Sequence, residues 1–430
     1  MVEVVPLPSA LPSYAAEDLD TSEKIADSPF DVKWVLDHLE AADDMFQLLT
    51  ETSKVSKVSG IDLSQGKGFI SKVYKVTIEF EGQNEKHIVC LKVPGTESME
   101  QAMDEAKFDM DPENRIKDYQ AANLHNRECD FYDKYAPHLD ISLPKVYKTV
   151  KWIIGKQQGA ILMESFFGQA ETMPLAQGCT PEQLYTLAKQ MATWHSYILL
   201  QPRDEWFGKY PADMFDSFCK GDFFGPCFKM MKEENPGMFD EIIEVMGPAV
   251  NSLKFMKYSM SEVYEDVGLP PVLAHGDLWT NNVLWKKNQD GSFSNELAAV
   301  IDWQVIHDGC MTGDIARFTA ICADAEVRRE HEFKVLQFYH DEVVKNLEAK
   351  GKKAEFNMDQ LTKAYKVNFI VQAMFTMCMA PFLYPNLNPD QPDYAVKKAE
   401  RDKLYLRAKF AADDALVYFK DLPEEIRRGD

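Results

Sequence analysis

His275-Gly276-Asp277-Leu278-Trp279-Thr280-Asn281-Asn282 is the stretch on which the reading of this chain turns. It offers one carboxylate, Asp277, and one amide, Asn282, five residues further on. The apolar run Val283-Leu284-Trp285 follows, so the stretch is a loop leading into a strand. A Gly-containing turn over residues 287–294 separates that strand from a second at 297–301, which ends in Val300-Ile301-Asp302-Trp303. A carboxylate, an amide and a second carboxylate therefore stand in fixed order around one hairpin.

Phosphoryl transfer from ATP calls for this set of groups. A carboxylate positions the acceptor hydroxyl and takes its proton, and hard oxygen donors hold the Mg²⁺ that bridges the phosphates. Asp277 suits the first task; Asn282 and Asp302 suit the second. Asp314, in Gly313-Asp314-Ile315-Ala316-Arg317-Phe318, opens a helix and is read as a brace for the loop, with His275 also in a supporting role. His195, in Thr193-Trp194-His195, lies on an apolar helix and reads as a satisfied core histidine.

Upstream, Gln65-Gly66-Lys67-Gly68-Phe69-Ile70-Ser71 precedes an alternating strand over residues 72–80. Gly66 and Gly68 let backbone N–H groups approach phosphates, and Ser71 can add a hydroxyl. The turn Glu81-Gly82-Gln83-Asn84 leads to a second strand over residues 87–93, which makes a hairpin. Lys92 lies on that strand among apolar residues, a costly placement unless its ammonium meets anions. ATP phosphates and a helix carboxylate would supply them. Glu128 is the candidate carboxylate, with Arg127 and Asp130 as rivals for the same position. Met163-Glu164 ends a strand where nucleotide adenine would take backbone hydrogen bonds.

The rest of the chain arranges itself around these motifs. Residues 1–28, rich in Pro, Ser, Ala and acidic side chains, read as a flexible tail. Residues 29–164 read as a β-rich, nucleotide-binding lobe that opens with an amphipathic helix over residues 31–51 and carries an inserted segment at 96–123. Residues 165–430 read as a helical lobe with the loop and the substrate pocket. Thr180-Pro181-Glu182-Gln183 starts one helix with a capping Thr, Pro at the first position and Gln at the third. Helices are also expected at 238–266, 313–349, 359–380 and 392–419. The whole is an α+β, two-lobe architecture.

Composition narrows the function classes. Among 430 residues the formal charge is −22, which argues against binding a phosphate backbone or an anionic membrane surface. The eight cysteines form no C-x-x-C pair, so they read as free thiols of a reducing, cytoplasmic compartment. The longest apolar stretch, residues 369–384, contains Gln372 and Thr376 and follows Asn368. Those three polar residues, spaced by four, share a helix face, so a buried core helix is expected and not a membrane span.

With these residues in place, the sequence resembles the choline-kinase and aminoglycoside-phosphotransferase-like small-molecule kinases. It is most similar to their ecdysteroid-kinase-like branch, through Gly66-Lys67-Gly68-Phe69-Ile70-Ser71, Leu124-His125-Asn126-Arg127-Glu128, His275-Gly276-Asp277 and Ile301-Asp302-Trp303-Gln304. The resemblance runs from about residue 29 to the C-terminus. It implies a protein-kinase-like fold with ATP in a cleft, Lys92 on the α- and β-phosphates and Glu128 anchoring Lys92. It further implies Asp277 as the base, Asn282 and Asp302 on Mg²⁺, and a small-molecule hydroxyl as acceptor, on a steroid- or choline-like alcohol. The alternative is a catalytically inactive binding protein on the same fold.

Overall fold

The alternating strand at residues 72–80 forms β2 (Ser71–Phe80), with Tyr74, Val76, Ile78 and Phe80 buried on one face. It lies between β1 (Val55–Asp62) and β3 (Lys86–Pro94), and the sheet continues through β5 (Ala160–Glu164) to β4 (Val146–Val150). Every pairing in this five-stranded sheet is antiparallel. The computed structural model describes residues 13–64, 70–97, 116–213 and 224–428.

The chain divides into two compact units. The first takes the described residues up to 97, together with Asp118–Cys129 and Pro144–Phe167. Its core joins the sheet face to two helices, Val32–Ala42 and Asp44–Thr52, through Val35, Leu36, Phe46, Val76, Ile78 and Leu91. One continuous helix was expected over residues 31–51. Asp43 breaks it: its N–H closes the first helix on the Leu39 carbonyl, and its carboxylate caps the second at the Met45 N–H.

The expected tail at 1–28 is corrected where it is described. Residues 13–28 pack as part of this unit, with Tyr14, Ala15, Ala16 and Ile25 buried. Ala15 bridges to Val55, and Gly60 makes room for Ile25, since a Cβ there would lie 2.6 Å from the Ile25 side chain. The burial is dictated by a strand forty residues away, which local composition does not reveal. Of the segment 96–123, residues 98–115 lie outside the described residues, and Asp118 onward already belongs to the helix Asp118–Asp130.

The second unit takes Asp130–Leu143 and the described residues from Gly168 on. It is mainly helical. Thr180 caps the helix Pro181–Leu200 in a reciprocal capping box with Gln183. The helix expected at 313–349 is two, Gly313–Cys322 and Ala325–Glu348. Short strands carry the site loops: β6 (Ala170–Thr172), β8 (Val283–Lys287) and β9 (Phe293–Val300) form one sheet, and β7 (Pro271–Ala274) pairs with β10 (His307–Cys310). Among the described residues, the helix Met358–Leu383 is long and apolar enough to cross a membrane, and 83% of its most apolar window is buried. A strand-rich unit followed by a helical one makes the chain α+β, as expected.

Candidate active site

β7 runs directly into His275, and β10 pairs with it, Ala274 opposite His307. Gly276 takes a φ of +82°, and a Cβ on it would lie 2.6 Å from the Val305 carbonyl oxygen, so this turn requires glycine. The loop hangs on one carboxylate. Asp314, at the start of the helix Gly313–Cys322, accepts the N–H of His275 on Oδ2 (2.8 Å) and that of Gly276 on Oδ1 (2.9 Å). His195 stands behind it, with Nε2 3.4 Å from Asp314 Oδ2 and Nδ1 2.6 Å from the Tyr339 hydroxyl. Burial opposes ionisation of Asp314, but the hydrogen bond and charge of His195, with His275 and the Gly276 N–H, outweigh it and bring the pKa down to about 2.

The β8–β9 hairpin brings the ends of the motif together. The Ile301 N–H donates to the Asn282 carbonyl at 3.0 Å, which closes the hairpin at its base. Asn282 Nδ2 then donates to the Asp277 carbonyl (2.8 Å) and to Asp277 Oδ2 (3.0 Å). With its nitrogen spent on Asp277, the amide has its oxygen left for a cation. Asp302 sits in the left-handed region at φ +65°, ψ +57°. A non-glycine residue there costs on the order of 1–3 kcal/mol and persists where its surroundings over-determine it. Trp303 supplies that constraint: its ring stacks on Phe131 at 3.8 Å and leans on His275 at 4.6 Å, and its Nε1–H donates to the Val300 carbonyl. Gln304 Nε2 donates to Asp302 Oδ2 at 3.2 Å.

One member of the site was not anticipated. Arg317, one helical turn beyond Asp314, donates from Nη2 to Asp277 Oδ1 at 2.5 Å. Its Nη1 donates to Gln372 Oε1 at 3.0 Å, and its guanidinium lies 5.5 Å from the centre of the Phe375 ring. Gln372 and Asn368 are two of the three polar residues that interrupt the apolar helix. Asn368 reaches the Ser259 carbonyl and the Thr312 hydroxyl, just before the Asp314 helix. Both signals were present in the sequence, as the i, i+3 spacing of Asp314 and Arg317 and the polar face of an otherwise apolar helix. Asp277, about three-quarters buried, has its pKa raised, chiefly by that partial desolvation; Arg317 holds it down, Asp302 pushes it up and His275 lowers it. Asp302 and Asn282 together present hard oxygen donors, a set that fits Mg²⁺.

In the first unit, Lys92 lies on β3 between buried Leu91 and Val93, and its Nζ donates to Glu128 Oε2 at 2.6 Å. Of the three residues weighed as its partner, Glu128 is the one whose carboxylate it reaches; Asp130 belongs to the second unit and bonds to Tyr210 and Lys134. Ser71 opens β2, buried opposite Pro94. Met163 and Glu164 end β5 as expected, yet the Glu164 N–H is spent on the Lys145 carbonyl, so an adenine ring has no use of that donor. Gly66 and Gly68 lie outside the described residues.

The chain belongs to the DUF1679 family, whose model, described as "Uncharacterized oxidoreductase dhs-27", matches residues 37–421. The Caenorhabditis elegans protein of that name is 29% identical over 315 residues, 71% of this chain. The chain spans only 37% of the length of that relative. A second Caenorhabditis elegans protein, "Uncharacterized kinase-like protein D1044.1", is 21% identical over 76% of this chain and 83% of its own length. Among solved structures, the GDP complex of wild-type aminoglycoside 2'-phosphotransferase-IIIa is similar over 85% of this chain and 96% of its own, with 12% identity and a TM-score of 0.43.

Proposed function

We infer that this protein transfers the γ-phosphate of Mg·ATP to a hydroxyl group of a small molecule. Three residues of the second unit carry this reading: Asn282 bonds Asp277 on the loop held by Asp314, and the β8–β9 hairpin, closed by the Ile301 N–H on the Asn282 carbonyl, sets Asp302 beside them. Asp277 would hold the acceptor hydroxyl and take its proton as that oxygen bonds to phosphorus and ADP leaves. Asn282 and Asp302 would hold Mg²⁺, which, when bound, neutralises charge on the phosphates. Lys92, fixed by Glu128, would meet the phosphates. The kinase-like name of one relative is in keeping with this. The resemblance to the choline-kinase and aminoglycoside-phosphotransferase-like kinases adds steroid- or choline-like alcohols as the acceptor class, and the free cysteines add the cytoplasm as the place of action.

A specific observation favours a second reading, a binding protein without turnover: the carboxylate offered as base is already ion-paired to Arg317. Two measurements separate the readings. Mg·ATP at a hundredfold excess over its dissociation constant should stabilise the fold by about 2.7 kcal/mol and raise the melting temperature. Absence of any shift removes the nucleotide reading altogether. With an acceptor in hand, Asp277→Asn should lower turnover by about 10² to 10⁴ and keep the Mg·ATP shift. Binding without ATP consumption across a broad alcohol panel would favour the non-catalytic reading.

A further inference from the structure

We propose that Arg317 sets acceptor specificity: it selects an alcohol that carries an anionic oxygen beside the hydroxyl to be phosphorylated, and it disfavours ammonium-bearing alcohols. The inference rests on the kinase reading above, concerns the same site, and narrows the acceptor class given there by setting the cationic, choline-like alcohols aside.

The two oxygens of Asp277 are differently occupied. Oδ2 takes the Asn282 amide, and Oδ1 takes Arg317 Nη2. A carboxylate oxygen has two lone-pair directions, so an acceptor hydroxyl can donate to Oδ1 beside the guanidinium. Any molecule placed to give its proton to Oδ1 therefore has its neighbouring atoms against Arg317. That group cannot leave easily. Gln372 holds Nη1, the Phe375 ring lies beside the guanidinium, and only 13% of the Arg317 side chain is accessible. Nor can it lose its charge, since a guanidinium stays protonated in proteins.

The local charge therefore opposes the global one. The chain as a whole carries −22, which by itself would draw cations. At physiological ionic strength, however, exposed charges are screened beyond about 8 Å, so the charge in contact with the acceptor decides. At Asp277 that charge is already balanced by Arg317. An ammonium substituent would find no uncompensated carboxylate on Asp277 and a fixed cation beside it. A carboxylate or phosphate oxygen would gain a charge-assisted hydrogen bond from the guanidinium. During transfer the hydroxyl proton passes to Asp277, the acceptor oxygen bonds to phosphorus, and the bond from phosphorus to the ADP oxygen breaks. Arg317 takes no part in that exchange; it positions Asp277 and the acceptor.

The test uses the full chain and two scaffolds, a cyclohexanol and a hydroxysteroid, each made in carboxylate, neutral and ammonium form. Two readouts are taken: the melting-temperature shift each alcohol adds in the presence of Mg²⁺ and a non-hydrolysable ATP analogue, and alcohol-dependent ADP release. The carboxylate form of at least one scaffold should shift the wild-type protein, with kcat/KM at least about tenfold above its ammonium form. Arg317→Gln should erase that preference mainly through KM, and Arg317→Lys should restore part of it. An ammonium preference in the wild type, an unchanged preference in Arg317→Gln, or no response to either carboxylate form would each overturn the proposal. The Mg·ATP shift is measured in parallel on wild type and Arg317→Gln. If both shift and no charge preference exists, the specificity inference fails alone. If the wild type does not shift, the kinase reading fails with it.

Discussion

Two ion pairs of nearly equal length have opposite characters. Lys92–Glu128, in the first unit, measures 2.6 Å, with side-chain exposures of 9% and 0%. Arg317–Asp277, in the second, measures 2.5 Å, with exposures of 13% and 28%. Distance alone would rank them as equals. Water access separates them: a fully dry carboxylate cannot turn to water when its cation is removed, whereas a carboxylate one-quarter open can share its oxygens with a ligand. The first pair is built to hold a lysine still, and the second leaves an anion within reach of chemistry.

The comparison can be broken most directly by removing each cation and measuring stability in urea. Lys92→Met should cost about 3–5 kcal/mol, because it strands a buried charge. Replacing Glu128 by Leu in the same chain should recover much of that loss. Asp314→Asn comes next. The folded pKa of Asp314, about 2, lies below its ordinary value of 3.8, so its ionised form contributes stability that is fully present above about pH 4 and is lost as pH falls toward 2. The difference corresponds to about 2 kcal/mol, and Asp314→Asn should remove that acid-side slope from unfolding curves taken between pH 2 and 6. Arg317→Gln should cost least, about 1 kcal/mol or below, since Asp277 keeps water and the Asn282 amide. A loss in Arg317→Gln as large as that in Lys92→Met would show that exposure does not distinguish the two pairs.

The two pairs also differed in how far the sequence disclosed them. Lys92 stood out because a lysine amid Val89, Cys90, Leu91 and Val93 is anomalous on a strand. Its partner lies in one short helical stretch, where Arg127 and Asp130 rival Glu128 for the inward position because one helical turn cannot be oriented from sequence alone. Arg317 is inconspicuous in the sequence, because an arginine one turn from an aspartate on a helix is unremarkable until the helix is placed. Gln372 shows in the sequence only as a polar break in an apolar run, and its hydrogen bond to Arg317 depends on how the helix Met358–Leu383 is rotated in its unit. The packing of residues 13–28 is hidden for the same reason: Tyr14 and Ile25 belong to no periodic apolar pattern, and the contacts that bury their segment come from Val55 and Gly60.

What the sequence determined by itself were features with a short physical range. The period-two alternation of β2, the capping box at Thr180 and the order Asp277, Asn282, Asp302 around one hairpin all follow from backbone preferences and side-chain periodicity over a few residues. Tertiary structure decided which charge faces which. Asp277 and Arg317 are forty residues apart and meet because burying the apolar faces of two helices and two strand pairs leaves one orientation for each. A polar side chain spends its hydrogen bonds on whatever that packing brings near it, and the balance of charge at Asp277 is set there.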